Sequence, residues 1–367
     1  MRVIHVLASR RLRGAEVFAQ SLIRSLAAGG VEQCAVVLRS DDPANLDFGV
    51  STHSLHAERP IPLIHLSLRG VHSLARYIRD WRPDVIQAHG GEALKHAVFS
   101  SGGAPLIYRR IGGAHPSLGS PLRRRLHEAL MRRADRVVTV ADAVRDETLA
   151  MFRLTPERVI TIPNGVDPAR MHTHQTRDVV RATLGISPGQ PVILSAGAIT
   201  WEKDPSAHLE ISRRVSQKRP DVVHLMAGDG PLRNQSEEMV KRWGAQDRIL
   251  FLGVRGDMAE IMAAADVLLF ASRPDGMEGM PAVLIEAGMC GVPVAGFDVA
   301  GAREIVIDAE TGRLVAWSDM EGLANAVLQV LDRPDMGLAA RTHCLERFSI
   351  DRIAKQYLDV YEEVLSR

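Results

Sequence analysis

The sequence predicts an α/β protein made of two doubly wound parallel-sheet domains, and three observations carry that expectation. Its 367 residues exceed a single ordinary domain of about 100–200 residues. Short β-branched runs alternate with longer helical patterns, and this rhythm restarts after a polar stretch at 167–178. Hydrophobic residues make up 46% and charged residues 24%, a balance that supports a sizeable core and excludes wholesale disorder.

Each element follows from its local pattern. In the first half, strands are expected at 3–7, 35–38 and 85–88, with a helix over 15–28. In the second half, near-continuous apolar runs at 192–196, 222–227, 249–252, 267–271 and 293–297 read as buried parallel strands. At 351–365, Ile353, Tyr357, Val360, Tyr361 and Val364 recur at helical spacing, which predicts a packing helix. The expected domains are 1–170 and 171–350. Segment 351–367 is expected to pack back on the first. Ligands of such sheets bind at the strands' carboxyl ends, so the two domains are expected to face each other across a substrate cleft.

Charge and composition narrow the function classes. The net charge is +1, but residues 1–170 carry a balance of +8 and the remainder −7, which suggests different partners for the two parts. Cys34, Cys290 and Cys344 are odd in number and far apart, a pattern of free thiols rather than of a disulfide framework or zinc site. No apolar run approaches the length of a membrane span, and the N-terminus is too soon basic for a signal peptide, so a cytoplasmic protein is expected. The glycine fingerprint of dinucleotide binding, the P-loop and the zinc-protease pattern are all missing. No two aspartates stand one residue apart, which removes the simplest carboxylate pair for a metal ion and leaves phosphate charge to protein groups.

The densest chemistry lies in SRPDGMEGMPAVLIEAGMCGVPVAG, residues 272–296. Pro281 suits the first turn of a helix expected over 281–290, whose start would expose the amides of Gly279, Met280 and Ala282 to hydroxyl or phosphate oxygens. Glu278 precedes that helix and Glu286 lies inside it, so two carboxylates can meet the vicinal hydroxyls of one ligand at different depths. A helix cap and a solvated glutamate are the alternative reading of the pair. Asp204–Pro205 reads as an N-cap and first helical residue, so Lys203 projects beside a helix N-terminus that favours anions. Gly14 stands where a first-domain helix begins, open to close backbone approach or simply turning the chain.

These blocks resemble retaining glycosyltransferases of family 4, which adopt the GT-B fold of two Rossmann-like domains. The signature is a glutamate pair eight positions apart, here within EGMPAVLIEAGMCGVPV. RGAEVFAQSLIRSLAAGG at 13–30, the stretch 134–167, AGDGPLR at 227–233 and GAREIV at 301–306 extend the resemblance over nearly the whole chain. It implies transfer of a hexosyl-type group from a nucleoside diphosphate sugar, UDP favoured slightly over GDP, to an acceptor hydroxyl with retention. It implies no cofactor and no metal ion. A glycan or lipid-linked acceptor is implied, as in surface polysaccharide synthesis, with no nucleic acid involved.

By the same resemblance Glu286 holds the ribose hydroxyls, and Glu278 with the amides of Gly279, Met280 and Ala282 orients the sugar. Lys203 meets the diphosphate, with Gly14 and Gly197 approaching the donor. For contact with the transferred sugar, Arg110 and His115 are rivals, and His89 is a third strand-end residue that equally suits a structural role. One departure stands out: the family usually has an arginine five residues before the lysine, and here that position is Ala198, with Arg273 a candidate substitute. Residues 120–136 hold six arginines beside Leu122, Leu126 and Leu130, a pattern for peripheral contact with anionic lipid or a charged acceptor, or for a solvated basic helix. Two rival functions are a sugar nucleotide epimerase of the same fold and a non-catalytic sugar nucleotide binding module.

Overall fold

The computed structural model describes residues 1–39, 46–57, 66–113 and 116–367. It divides into two compact units, Met1–Val166 together with Ile350–Arg367, and Asp167–Ser349.

The first unit carries strands β1 (Arg2–Leu7), β2 (Glu32–Val37), β3 (Thr52–Ser54), β4 (Val85–His89), β5 (Leu106–Arg110), β6 (Arg136–Thr139) and β7 (Val159–Thr161). Its helices are α1 (Gly14–Ala28), α2 (Leu68–Trp81), α3 (Gly91–Val98), α4 (Pro121–Met131) and α5 (Asp142–Met151). The strands form one parallel sheet in the order β3-β2-β1-β4-β5-β6-β7, which reverses direction between β1 and β4. β5 escapes a hydropathy reading because Arg109 and Arg110 end it, yet both are buried.

The second unit contains α6 (Arg177–Thr183), β8 (Val192–Ala196), α7 (Pro205–Lys218), β9 (Val223–Ala227), α8 (Arg233–Arg242), β10 (Ile249–Gly253) and α9 (Met258–Ala264). It continues with β11 (Val267–Phe270), α10 (Ala282–Met289), β12 (Val294–Phe297), α11 (Ala302–Ile305), β13 (Gly312–Val315), α12 (Met320–Leu331) and α13 (Asp335–Phe348). Its parallel sheet runs β10-β9-β8-β11-β12-β13, reversing direction between β8 and β11. Ile193, Leu194, Leu268, Leu269 and Ala295 are fully or almost fully buried because helices cover both faces.

The last helix, α14 (Ile350–Leu365), belongs to the first unit. Its apolar row Ile353, Tyr357, Val360, Tyr361 and Val364 is buried against Phe18, Leu22 and Leu26 of α1 and the sheet residues Val3, Val85 and Ile107. Gly165 admits this crossing, since a Cβ there would stand 2.9 Å from Ile353.

The basic segment splits between two elements. Leu122 is 77% and Leu126 46% exposed on α4, whereas Leu130 is buried. Of the six arginines, Arg136 sits in β6, buried, with its guanidinium on Glu363 of α14. The basic helix α4 ends at Met131, so Arg132 and Arg133 lie beyond it.

Candidate functional site

Two glycines shape the floor of the second unit's site. Gly197 follows β8 with φ 139° and Gly228 follows β9 with φ 142°, both in the region that side chains rarely adopt. Their backbones nearly touch, so a Cβ on Gly228 would stand 1.8 Å from the Gly197 carbonyl oxygen. The loops stay joined as Ile199 donates its amide to Asp229 (2.9 Å) and Leu232 donates to Ile199 (3.1 Å). At these strand ends a pocket opens to solvent, lined by Gly197, Ala198, Lys203, His208, Phe270 and Val283 among others.

Lys203 is held by its neighbours in sequence. It closes a 3-10 turn, Trp201–Lys203, and Asp204 then takes a left-handed conformation at φ 47°. The Asp204 carboxylate accepts from the Ala207 amide at 3.1 Å, and Pro205 occupies the first helical position, so the cap starts α7 where the sequence pattern placed it. Lys203 Nζ lies 5.9 Å from the Phe270 ring centroid.

Glu278 arrives from the other side of the sheet's crossover. After β11, the Pro274–Gly276 turn seats on the lysine turn, with the Arg273 amide donating to the Glu202 carbonyl at 2.9 Å and Gly276 so close that a Cβ would meet Glu202 at 3.0 Å. Met277 takes φ 60°, which redirects the chain. Glu278 then accepts from Lys203 Nζ through both oxygens, at 2.6 and 2.7 Å. Both side chains are half-buried, so this pair is not a loose surface contact.

α10 begins one residue later than its sequence pattern predicts, at Ala282, because Pro281 keeps extended geometry (φ −75°, ψ 103°) and serves as N-cap. Pro281 offers no capping side chain. Gly279 and Met280 are buried, and Gly301 (φ 74°) comes so near that a Cβ on it would stand 2.3 Å from the Gly279 carbonyl. Val283 lines the pocket, and Glu286, three residues on, shares its helix face. Burial pushes the Glu286 carboxyl above its ordinary range, an effect that Arg170 opposes.

The remaining sequence candidates fall elsewhere. Gly14 is the first residue of α1 in the first unit, with nothing within 4 Å of where a Cβ would point. Arg110 is buried in the first unit, donates to Glu147 at 2.8 Å and lies over Phe152. His115 lies outside the described residues. His89 is buried and shares a 3.1 Å hydrogen bond with His5, whose Nε2 meets Gln33 at 2.8 Å. Burial lowers both imidazoles, that of His5 to about 4, so the pair is neutral at pH 7. Arg273 does not join Lys203; it binds Asp275 at 3.0 and 3.2 Å and approaches Asp204 at 3.8 Å.

Sequence reasoning missed a second pocket of about 430 Å³ in the first unit, walled by Leu7, Ala15, Glu16, His89, Gly91 and Glu92. Glu16, in the first turn of α1, was its available signal. Burial pushes that carboxyl above its usual range, with the Ser9 hydroxyl donating to it at 3.2 Å. Among the described residues no three His, Cys, Asp or Glu side chains gather as a metal site, and no helix is long and apolar enough to cross a membrane.

Comparison with known proteins agrees with this geometry. Residues 12–170 match the family described as Glycosyltransferase Family 4, and residues 176–343 match Glycosyl transferases group 1. The chain is 30% identical over 303 residues to an alpha-maltose-1-phosphate synthase of Mycolicibacterium smegmatis, a match covering 77% of this chain and 73% of that protein. It is 28% identical over 355 residues to the 2-deoxystreptamine N-acetyl-D-glucosaminyltransferase of Streptomyces fradiae, covering 85% and 81%. Among solved structures, Alr3699/HepE of Anabaena in complex with UDP superposes with a TM-score of 0.83 at 21% identity, covering 99% of this chain and 100% of that one. Sucrose-phosphate synthase of Thermosynechococcus elongatus gives 0.83 at 20% identity over 100% of both chains. With its two Rossmann-like sheets and both family models matched in order, the chain belongs to glycosyltransferase family 4 and is a glycosyltransferase of the GT-B fold.

Proposed function

We propose that this enzyme transfers a hexosyl-type group from a nucleoside diphosphate sugar to an acceptor hydroxyl, with retention at the anomeric carbon and without a metal ion. The observation that carries the reading is the Lys203–Glu278 pair at the rim of a strand-end pocket whose wall helix also bears Glu286. Lys203 and the uncapped start of α10 suit the negative charge of a leaving diphosphate, and such preorganised groups lower the barrier without reorganising. Glu286 suits the ribose hydroxyls. Glu278 suits sugar hydroxyls, a positioning role that leaves the departing phosphate oxygen to take the acceptor's proton. UDP is favoured as the nucleotide because Alr3699/HepE was solved with UDP and with UDP-glucose. A glycan or lipid-linked acceptor, as in surface polysaccharide synthesis, is the proposed class of product chemistry.

Thermal shift with UDP-, GDP- and ADP-sugars tests the donor. One series is expected to stabilise the chain by about 2.7 kcal/mol at a hundredfold excess over its dissociation constant. With acceptor present, release of the nucleoside diphosphate is expected, and Lys203→Met should lower kcat/KM by about 10²–10³. A product with inverted anomeric configuration would reject retention, and an epimer formed from donor alone would favour the epimerase.

Exposure of Leu122 and Leu126 beside Arg123, Arg124 and Arg125 supports peripheral membrane contact at the cytoplasmic face through α4. The chain is expected to sediment with vesicles containing anionic lipid, and less so after the three arginines are changed to glutamate. Equal sedimentation of the two proteins would remove α4 from this role.

A further inference from the structure

Lys203 and Glu278 neutralise each other, with both carboxylate oxygens on one ammonium. Among the described residues Lys203 is the single cation bonded to Glu278, position 198 offers only a methyl group, and Arg273 is occupied by Asp275. Any phosphate that takes Lys203 therefore leaves a half-buried carboxylate without its cation and adds negative charge beside it. A buried polar group deprived of its partner is costly. Two ligands differ sharply in how they answer that cost. A sugar-bearing donor brings hydroxyl donors to the freed Glu278 oxygens. A bare nucleoside diphosphate brings none.

We propose that Glu278 is the residue that makes the site prefer the sugar-bearing donor over the spent nucleoside diphosphate, by competing with phosphate for Lys203. The inference rests on the nucleotide-sugar reading given above. On this account Glu278 holds the donor sugar before transfer. After transfer it reclaims Lys203, and so helps the product leave.

Binding of UDP and UDP-glucose, with GDP and GDP-mannose in parallel, is measured by calorimetry for the wild type, Glu278→Gln, Lys203→Met and the double variant. Glu278→Gln keeps the side chain's shape but releases Lys203. It is expected to bind the nucleoside diphosphate about tenfold more tightly while binding the sugar nucleotide no better. In the Lys203→Met background the same change should alter diphosphate affinity by less than about twofold. This second comparison separates competition for Lys203 from a general gain in site order. Weaker diphosphate binding by Glu278→Gln, or an equal change for both ligands, overturns the proposal. A wild type that binds none of the four nucleotides overturns the parent reading as well, and does so before any variant is made.

Discussion

Replacing Glu286 by glutamine is expected to cost about 10²–10³ in kcat/KM and at the same time to stabilise the ligand-free chain. On the proposed ribose assignment, the first effect follows from losing a carboxylate able to accept two hydroxyl hydrogen bonds, since an amide presents one acceptor and one donor instead. The second follows from burial, which already penalises the charged form of this carboxyl. Its folded pKa stands above the unfolded value, so its stabilising contribution is fully present below the unfolded pKa. That contribution is lost as pH rises through the folded pKa. Burial thus penalises the charged form of the wild-type carboxyl, a penalty that glutamine escapes. A gain of about 0.5–2 kcal/mol, read as a rise of roughly 1–8 °C in Tm, is expected. The same sign applies to binding. Donor affinity should fall on acidification at a higher pH than an ordinary carboxyl would dictate, and the glutamine variant should show no such step. Loss of stability in the variant would mean that Glu286 has a structural partner and would withdraw its assignment to the ribose.

Gly228→Ala is expected to be the most damaging single methyl in the second unit. The added carbon would stand 1.8 Å from the Gly197 carbonyl oxygen, and φ 142° is itself unfavourable for alanine. Strain at the backbone and the forced separation of two strand-end loops together should destabilise by about 3–5 kcal/mol. Because these loops form the pocket floor, any folded fraction should also bind donor poorly. Gly14→Ala is the matched control. Nothing stands within 4 Å of its new carbon, so stability should change by less than about 0.5 kcal/mol. Chemical denaturation of both variants checks the pair. Similar losses would show that close backbone approach is not what matters at Gly228.

Much of the architecture was legible because it is local. Strand β8 matches its hydropathy pattern residue for residue, and the apolar row of α14 is buried at every position singled out. Proline at 205 with aspartate before it announces a helix start, because both act on their own backbone. β3, β6, β7 and β13 were not legible: they have three or four residues each, and β6 opens on Arg136, so no window of hydropathy separates them from loops. The partner of Arg110 was not legible for a related reason: its acid, Glu147, stands 37 positions along the chain and meets it only in the fold.

The spacing of Glu278 and Glu286, the cap before α7 and the paired βα rhythm were determined by sequence alone, since each depends on residues within a turn or two of one another. Tertiary structure decided which charges meet. Lys203 and Glu278 stand 75 positions apart and come together only because β8 and β11 are sheet neighbours whose following turns stack. Electrostatic pairing falls off over a few ångströms of space, whatever the distance along the chain, so this pair had to wait for the fold.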